Sequence, residues 1–180
     1  MTSKVSFLIV AGAIAFMPVL SPADNDSEAT GSPAHVRAAF ELTVRAPYNI
    51  AFPLFGPEGE RSWAGADWSP QFVHPTPAAD MQGAVFTIKH GAHQAVWVNT
   101  LFDLQGHHIQ YAYFISDVMV TTIDLTFLPL DSASTKVCVI YERTALSVAA
   151  NERVQQLGAA DGARGSDWEK AINTYLLKHP

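Results

Sequence analysis

The sequence predicts an α+β fold: a curled antiparallel sheet of about six strands around a C-terminal helix, with two short helices after the first strand. Three observations carry this. From Gly83 onward, five β-rich runs succeed one another through short turns, and short turns join antiparallel neighbours. Near the C-terminus, Trp168, Ile172, Tyr175 and Leu176 fall at i, i+4, i+7 and i+8, one apolar stripe on a helix. Between the first strand and the other five lies Pro47–Phe72, which holds six aromatic residues yet is broken repeatedly by proline and glycine. A helix with one apolar face needs a sheet to lie on, and an antiparallel sheet with one apolar face needs a cover.

Taken in order, "AFELTVRA" alternates, with Phe40, Leu42 and Val44 on one face, and reads as the first strand. Pro47 is placed to open a helix. Pro53 and the "GPEG" that follows permit only short helical pieces, the second of them "PEGERSWAGA". "DWSPQFVHPTPAADMQG" reads as a loop. The strand runs are then "AVFTIKH", "QAVWVNTLFD", "IQYAYFIS", "VMVTTIDLTFLPL" and "KVCVIYERTAL". "SVAANERVQQL" begins a helix, "GAADGARG" interrupts it, and Ser166 with Glu169 fits a capping box that would restart it at Ser166.

The chain has 180 residues, of which 48% are hydrophobic and 16% charged, enough for a core in one domain. A formal net charge of −6 without any Lys/Arg run argues against nucleic acid, which needs a basic face. Lys4, the uncharged run Val5–Leu20 and the small residues Ser21 and Ala23 read as a secretory signal peptide over 1–23. Residues 24–37, small and polar, read as a linker, and 38–180 as the folded domain. The expected location is secreted or periplasmic, with membrane attachment only if the N-terminal segment stays uncleaved. Mature protein is expected to begin at Asp24. N-terminal sequencing from the native host tests this: Met1 or Thr2 at the terminus would contradict cleavage, and recovery in the cytosol would contradict export.

Cys138 is the only cysteine, so no intramolecular disulfide forms. Within "TKVCVIYE" it reads as a small buried hydrophobe. Seven histidines include His90 and His93 in "HGAH" and His107 and His108 in "GHH". These read as turn residues, because no Cys, Asp or Glu stands beside them to complete a zinc site; His90 alone has the chemistry of a pocket acid or base. Glu58 and Arg61 at helical spacing read as a surface ion pair, and no pair of carboxylates clearly converges. Neither a G-x-S-x-G elbow nor a phosphate-binding glycine loop occurs. No catalytic residue, metal ligand or cofactor is therefore assigned. Trp97, Tyr111, Tyr113 and Tyr141 combine apolar bodies with polar tips. They suit the wall of a ligand cavity, or a solid core whose tips reach water or backbone. Arg143 shares a face with Val137, Val139 and Tyr141; near the strand end it is expected to snorkel outward.

The segments "VRAPYNIAFPLFGPEGERSWA", "DW", "GAVFTIKHG", "WVNTLFD", "YERTALS" and "WEKAINTYL", in this order, resemble the START-like (SRPBCC) superfamily. The likeness is to its small bacterial polyketide-cyclase-like and heat-shock-ATPase-activator-like members and spans Phe40 to Leu176. Two departures stand out: Gly158, Gly162 and Gly165 punctuate the last helix, and Arg143 stands where an aromatic is expected. The resemblance implies a helix-grip fold in which the two short helices form a V against the open side of the sheet, so that Phe52, Phe55, Trp63 and Trp68 become lid and core. It implies non-catalytic binding of a small hydrophobic molecule (a lipid, isoprenoid or aromatic metabolite) between sheet and helix, contacting Phe52, Trp63, Trp97, Tyr111, Tyr113 and Tyr141. The alternatives are a polyketide cyclase/dehydratase-like enzyme and a protein-interaction module. A roomy interior with one or two polar groups distinguishes binding, a convergent acid–base pair distinguishes catalysis, and a filled interior distinguishes interaction.

Overall fold

The computed structural model describes residues 31–90 and 93–179, with His90 described by its backbone alone. The expected signal segment 1–23 and the His90 side chain lie outside the described residues. The strands are β1 (His35–Val44), β2 (Gln71–His74), β3 (Val85–His90), β4 (His93–Asp103), β5 (His108–Ile115), β6 (Met119–Asp131) and β7 (Ser134–Ala145). They form one antiparallel sheet in the order β1-β7-β6-β5-β4-β3-β2. The sheet has seven strands rather than about six. The added strand, β2, lies inside the expected loop; four residues between proline-rich flanks are too few to show alternation, and only pairing with β3 makes them a strand. β1 begins at His35, three residues inside the stretch read as linker.

Helix α1 (Tyr48–Ala51) continues into a 3-10 turn at Phe52–Phe55, and a second 3-10 turn covers Gly59–Ser62. The elbow between the two turns has no room for a side chain: a Cβ on Gly59 would stand 1.9 Å from the Pro53 carbonyl oxygen. After β7 come helices α2 (Asn151–Asp161) and α3 (Gly165–Lys178), which lie against β1 and, for α2, also β7. Among the described residues no helix is long and apolar enough to cross a membrane.

The restart of the helix differs from the expected capping box. Helix α3 begins at Gly165, and its N-cap, Arg164, makes no side-chain capping bond. Glu169 instead accepts a hydrogen bond from the Thr43 backbone N–H at 2.8 Å. Asn173 accepts from the Arg45 N–H at 2.8 Å and donates to the Thr43 carbonyl at 2.9 Å. Two side chains of α3 thus satisfy backbone groups on the outer edge of β1 that would otherwise invite another strand. The interrupting glycines have different jobs. At Gly158 a Cβ would meet Val36 at 2.7 Å, and at Gly165 it would meet the Glu41 carbonyl at 2.9 Å. Both are needed for close approach of helix to strand; Gly162 has open space around it.

The stripe on α3 packs as its spacing predicts: Ile172 is fully buried, and Trp168, Tyr175 and Leu176 lean on the core. Cys138 does not join that core. It faces the outer side of β7, half-buried, and its thiol donates to Glu41 at 3.4 Å.

Candidate functional site

The inner face of the sheet is organised in rows that cross the strands. One row runs Phe72, Phe86, Trp97, Tyr113, Thr121, Arg143, Val36 in register from β2 to β1. Its rings stack in succession. Phe72 and Phe86 have centroids 5.5 Å apart, Phe86 and Trp97 5.7 Å, and Trp97 and Tyr113 4.0 Å. The next row carries Tyr141, Ile123 and Tyr111, and a further one Phe40, Val139, Leu125, Ile109 and Phe102. The period-two pattern puts every second residue of each strand inside, so single aromatic positions on successive strands become a continuous wall.

Arg143 is inside this wall, not snorkelling outward. It is 3% exposed and spends its guanidinium within the interior. Nε donates to Asp161 at 2.5 Å and Nη2 to the other oxygen of Asp161 at 2.9 Å. Nη1 donates to the Tyr113 hydroxyl and, at 3.0 Å, to Thr121. The guanidinium also lies over the Tyr141 ring, 5.1 Å from its centroid. Asp161, at the end of α2, is fully buried. Arg164 stands 3.1 Å from the same carboxylate without the alignment of a hydrogen bond, so it contributes charge rather than a directed contact. The side chain stays inside because this bidentate partner meets it there; the outward route was expected only because the partner sits beyond the strand, on a helix end read as a simple break.

The segment after β1 closes the open side of the sheet. Phe52 and Phe55 are fully buried. Phe55 meets Trp63 at 5.9 Å, and Trp63 meets Trp168 of α3 edge to face at 5.2 Å. Trp68 meets Trp97 edge to face at 5.5 Å. The indole N–H groups of Trp63 and Trp68 donate to the Leu54 and Pro57 carbonyls, inside the same segment. Every backbone–backbone hydrogen bond made by Pro47–Trp68 also closes within it. The lid is held to the body by rings and by a few side chains: the Tyr111 hydroxyl donates to the Phe55 carbonyl at 2.8 Å, Tyr48 donates to the Leu104 carbonyl at 2.5 Å, and Asp80 accepts from the Glu58 and Gly59 N–H groups.

All six residues expected to contact a ligand therefore face one interior, Phe52 and Trp63 from the lid and Trp97, Tyr111, Tyr113 and Tyr141 from the sheet. Two polar side chains there make no hydrogen bond to the described residues. Trp97 is 6% exposed, and its indole N–H has no hydrogen-bond acceptor among the described residues. Glu60, within the short helical piece "PEGERSWAGA" of the sequence, is the buried residue of its 3-10 turn at 7% exposed. Burial, with the Asp80 carboxylate as a second cause, pushes its carboxyl well above the ordinary glutamate range. Burial likewise raises the Tyr111 hydroxyl, helped by the charges of Glu60 and Asp80. Sequence spacing missed Glu60 because a four-residue turn carries no periodicity. Its neighbours Glu58 and Arg61 do pair at the surface, at 2.7 Å.

Two open concavities lie elsewhere. One, about 530 Å³, is an open groove between β1 and α3 lined by Glu41, Arg45, Glu169, Lys170 and Asn173. The other, about 370 Å³, includes Arg37, Gln110, Asp124 and Glu142. Among the described residues no cluster of three or more His, Cys, Asp or Glu is placed to hold a metal. His107 sits in a left-handed turn and stacks on Tyr48, and His108 bonds Asp124 at 2.8 Å.

A seven-stranded antiparallel sheet gripping C-terminal helices, closed by short early helices, is the helix-grip fold expected from the sequence. Solved structures with this fold match along most of the chain. Norcoclaurine synthase from Thalictrum flavum, in complex with dopamine and hydroxybenzaldehyde, aligns with a TM-score of 0.59 and 13% identity, covering 91% of this chain and 99% of that one. Ara h 8.0201 aligns at 0.58 and 16%, covering 81% and 99%. XoxI from Bacillus cereus aligns at 0.59 and 10%, covering 79% and 96%. No family model matches the sequence, and no curated protein matches it significantly.

Proposed function

We propose that this protein binds a small hydrophobic molecule between the curled sheet and the C-terminal helices, without catalysis, and that it acts as a secreted or periplasmic protein. The observation that carries the reading is Trp97: its N–H donor is buried in an aromatic wall and has no acceptor among the described residues. Leaving a buried donor unpaired costs about 1–3 kcal/mol, which an acceptor on a bound molecule removes. The lid supports the same reading, because it can lift without breaking a backbone–backbone bond to the body. The fold likeness to a synthase crystallised with two small aromatic molecules agrees with an aromatic or isoprenoid ligand. Rings fill the interior of the closed form, the outcome set out above for an interaction module, so the binding reading requires the lid to move and open the space.

A panel of fatty acids, isoprenoids and aromatic polyketides tests this. At least one compound is expected to raise the melting temperature and change tryptophan fluorescence; binding to the folded state alone stabilises it by about 2.7 kcal/mol at a hundredfold excess over Kd. In Trp97→Phe an aromatic ring survives but the donor is lost, so the fluorescence response should fall and the stabilisation by ligand should shrink by about 1 kcal/mol, read as a smaller melting shift. A panel without a single melting shift contradicts the reading. Product formation from any member would favour the cyclase-type alternative.

A further inference from the structure

This inference rests on the interior-binding reading and names the ligand class. Glu60 occupies a position where an apolar residue would serve the fold better. Its backbone is fully used, the N–H donating to Gly56 at 2.8 Å and the carbonyl accepting from Trp63 and Ala64. The two side chains that follow, Arg61 and Ser62, are exposed, while Glu60 is buried and its carboxyl makes no hydrogen bond or ion pair among the described residues.

The cations near the interior are engaged elsewhere. Arg61 donates to Glu58 and to the Pro70 carbonyl. Arg143 is spent on Asp161, Tyr113 and Thr121, and Arg164 faces Asp161. An anionic ligand would therefore enter with no free counter-charge and two carboxyls, Glu60 and Asp80, already close to one another. The rings of Phe55, Trp63, Trp97 and Tyr111 offer the opposite preference, because aromatic faces attract organic cations.

We propose that the interior selects small hydrophobic amines, seating the ammonium group on Glu60 and the apolar body among the rings. Asp80, in the loop before β3, is the charge that acts on Glu60, and the charge of Glu60 acts in turn on the Tyr111 and Tyr141 hydroxyls; Tyr141 also feels Arg164 and Asp161. Burial, with the Asp80 carboxylate as a second cause, favours the protonated form of the Glu60 carboxyl in the closed, empty protein. An incoming ammonium, already protonated in water, favours the carboxylate, so the Glu60 proton passes to solvent and the ion pair forms in a setting of low dielectric.

The test is calorimetric titration at pH 7 with three probes of one shape: 3-phenylpropylamine, 3-phenylpropanol and 3-phenylpropanoate. The amine is expected to bind at least tenfold more tightly than the alcohol, and the carboxylate most weakly. The amine's binding heat should differ between Tris and phosphate buffers, reporting the released proton. In Glu60→Gln, amine and alcohol should bind alike and the buffer dependence should vanish. This variant is expected to fold. The raised carboxyl of the natural residue contributes stability fully below the ordinary glutamate pKa and loses it as pH climbs toward the folded value, a loss that Gln escapes. An amine that binds no better than the alcohol overturns this inference while the alcohol's binding upholds the interior reading. Silence from all three probes also overturns it, and the broad panel then decides the interior reading separately.

Discussion

Replacing Arg143 by Met is expected to destabilise the protein by about 3–5 kcal/mol, the cost of leaving one member of a buried ion pair without the other. The stranded group is Asp161, 0% exposed, which would keep only the unaligned Arg164 beside it. Tyr113 and Thr121 would each lose a donor as well. Asp161→Leu should be comparably costly, because it strands the guanidinium inside the aromatic wall. The double variant Arg143→Met/Asp161→Leu should recover much of the loss: two apolar side chains of similar bulk replace both charges, and no desolvated ion remains. Urea unfolding of the four proteins measures this directly. Single costs that add in the double variant would mean that the contact carries no coupling and that the residues act through packing alone. The pair ties the end of α2 to β7, next to the β1 end of the inner row, so the single variants should also loosen the elbow where α2 meets α3.

Trp168→Ala is expected to cost about 3 kcal/mol, the lower end for a large aromatic because one edge of the ring stays exposed. Its indole is where three parts of the fold meet: Phe40 of β1 at 5.3 Å, Trp63 of the lid at 5.2 Å and Phe55 at 6.4 Å. Truncation removes the main contact between lid and helix, so the thermal midpoint should fall. Trp168→Phe should retain most of the stability. An unchanged midpoint in Trp168→Ala would show that α3 is held by Ile172 and the Asn173 and Glu169 bonds to β1, with the lid contributing nothing to its anchoring.

Much of the architecture could be read along the chain because it is written in local periodicity. Alternation at Phe40, Leu42 and Val44 specifies which face of β1 turns inward, and all three are buried. The spacing of Trp168, Ile172, Tyr175 and Leu176 specifies the buried side of α3, and each lies in or against the core. The alternation that placed Arg143 with Val137, Val139 and Tyr141 was also correct; all four face inward. The aromatic rings of Pro47–Phe72 were legible as lid and core through the resemblance, since Phe52 and Phe55 are buried and Trp63 and Trp68 pack on them or on the sheet.

Tertiary structure alone decided the rest. β2 exists because β3 supplies its hydrogen bonds. Glu169 pairs with the edge of β1 rather than with its own helix terminus because α3 approaches that edge closely, at Gly165. Arg143 turns in because Asp161, eighteen residues away, is carried to it by the path of α2. Glu60 points inward because two successive turns reverse the chain across the mouth of the sheet. Periodicity records which side of an element is apolar, since each residue's burial depends on its own rotation about the element axis. The partner a polar side chain finds depends on how distant elements pack, and that information is not local to any stretch of the chain.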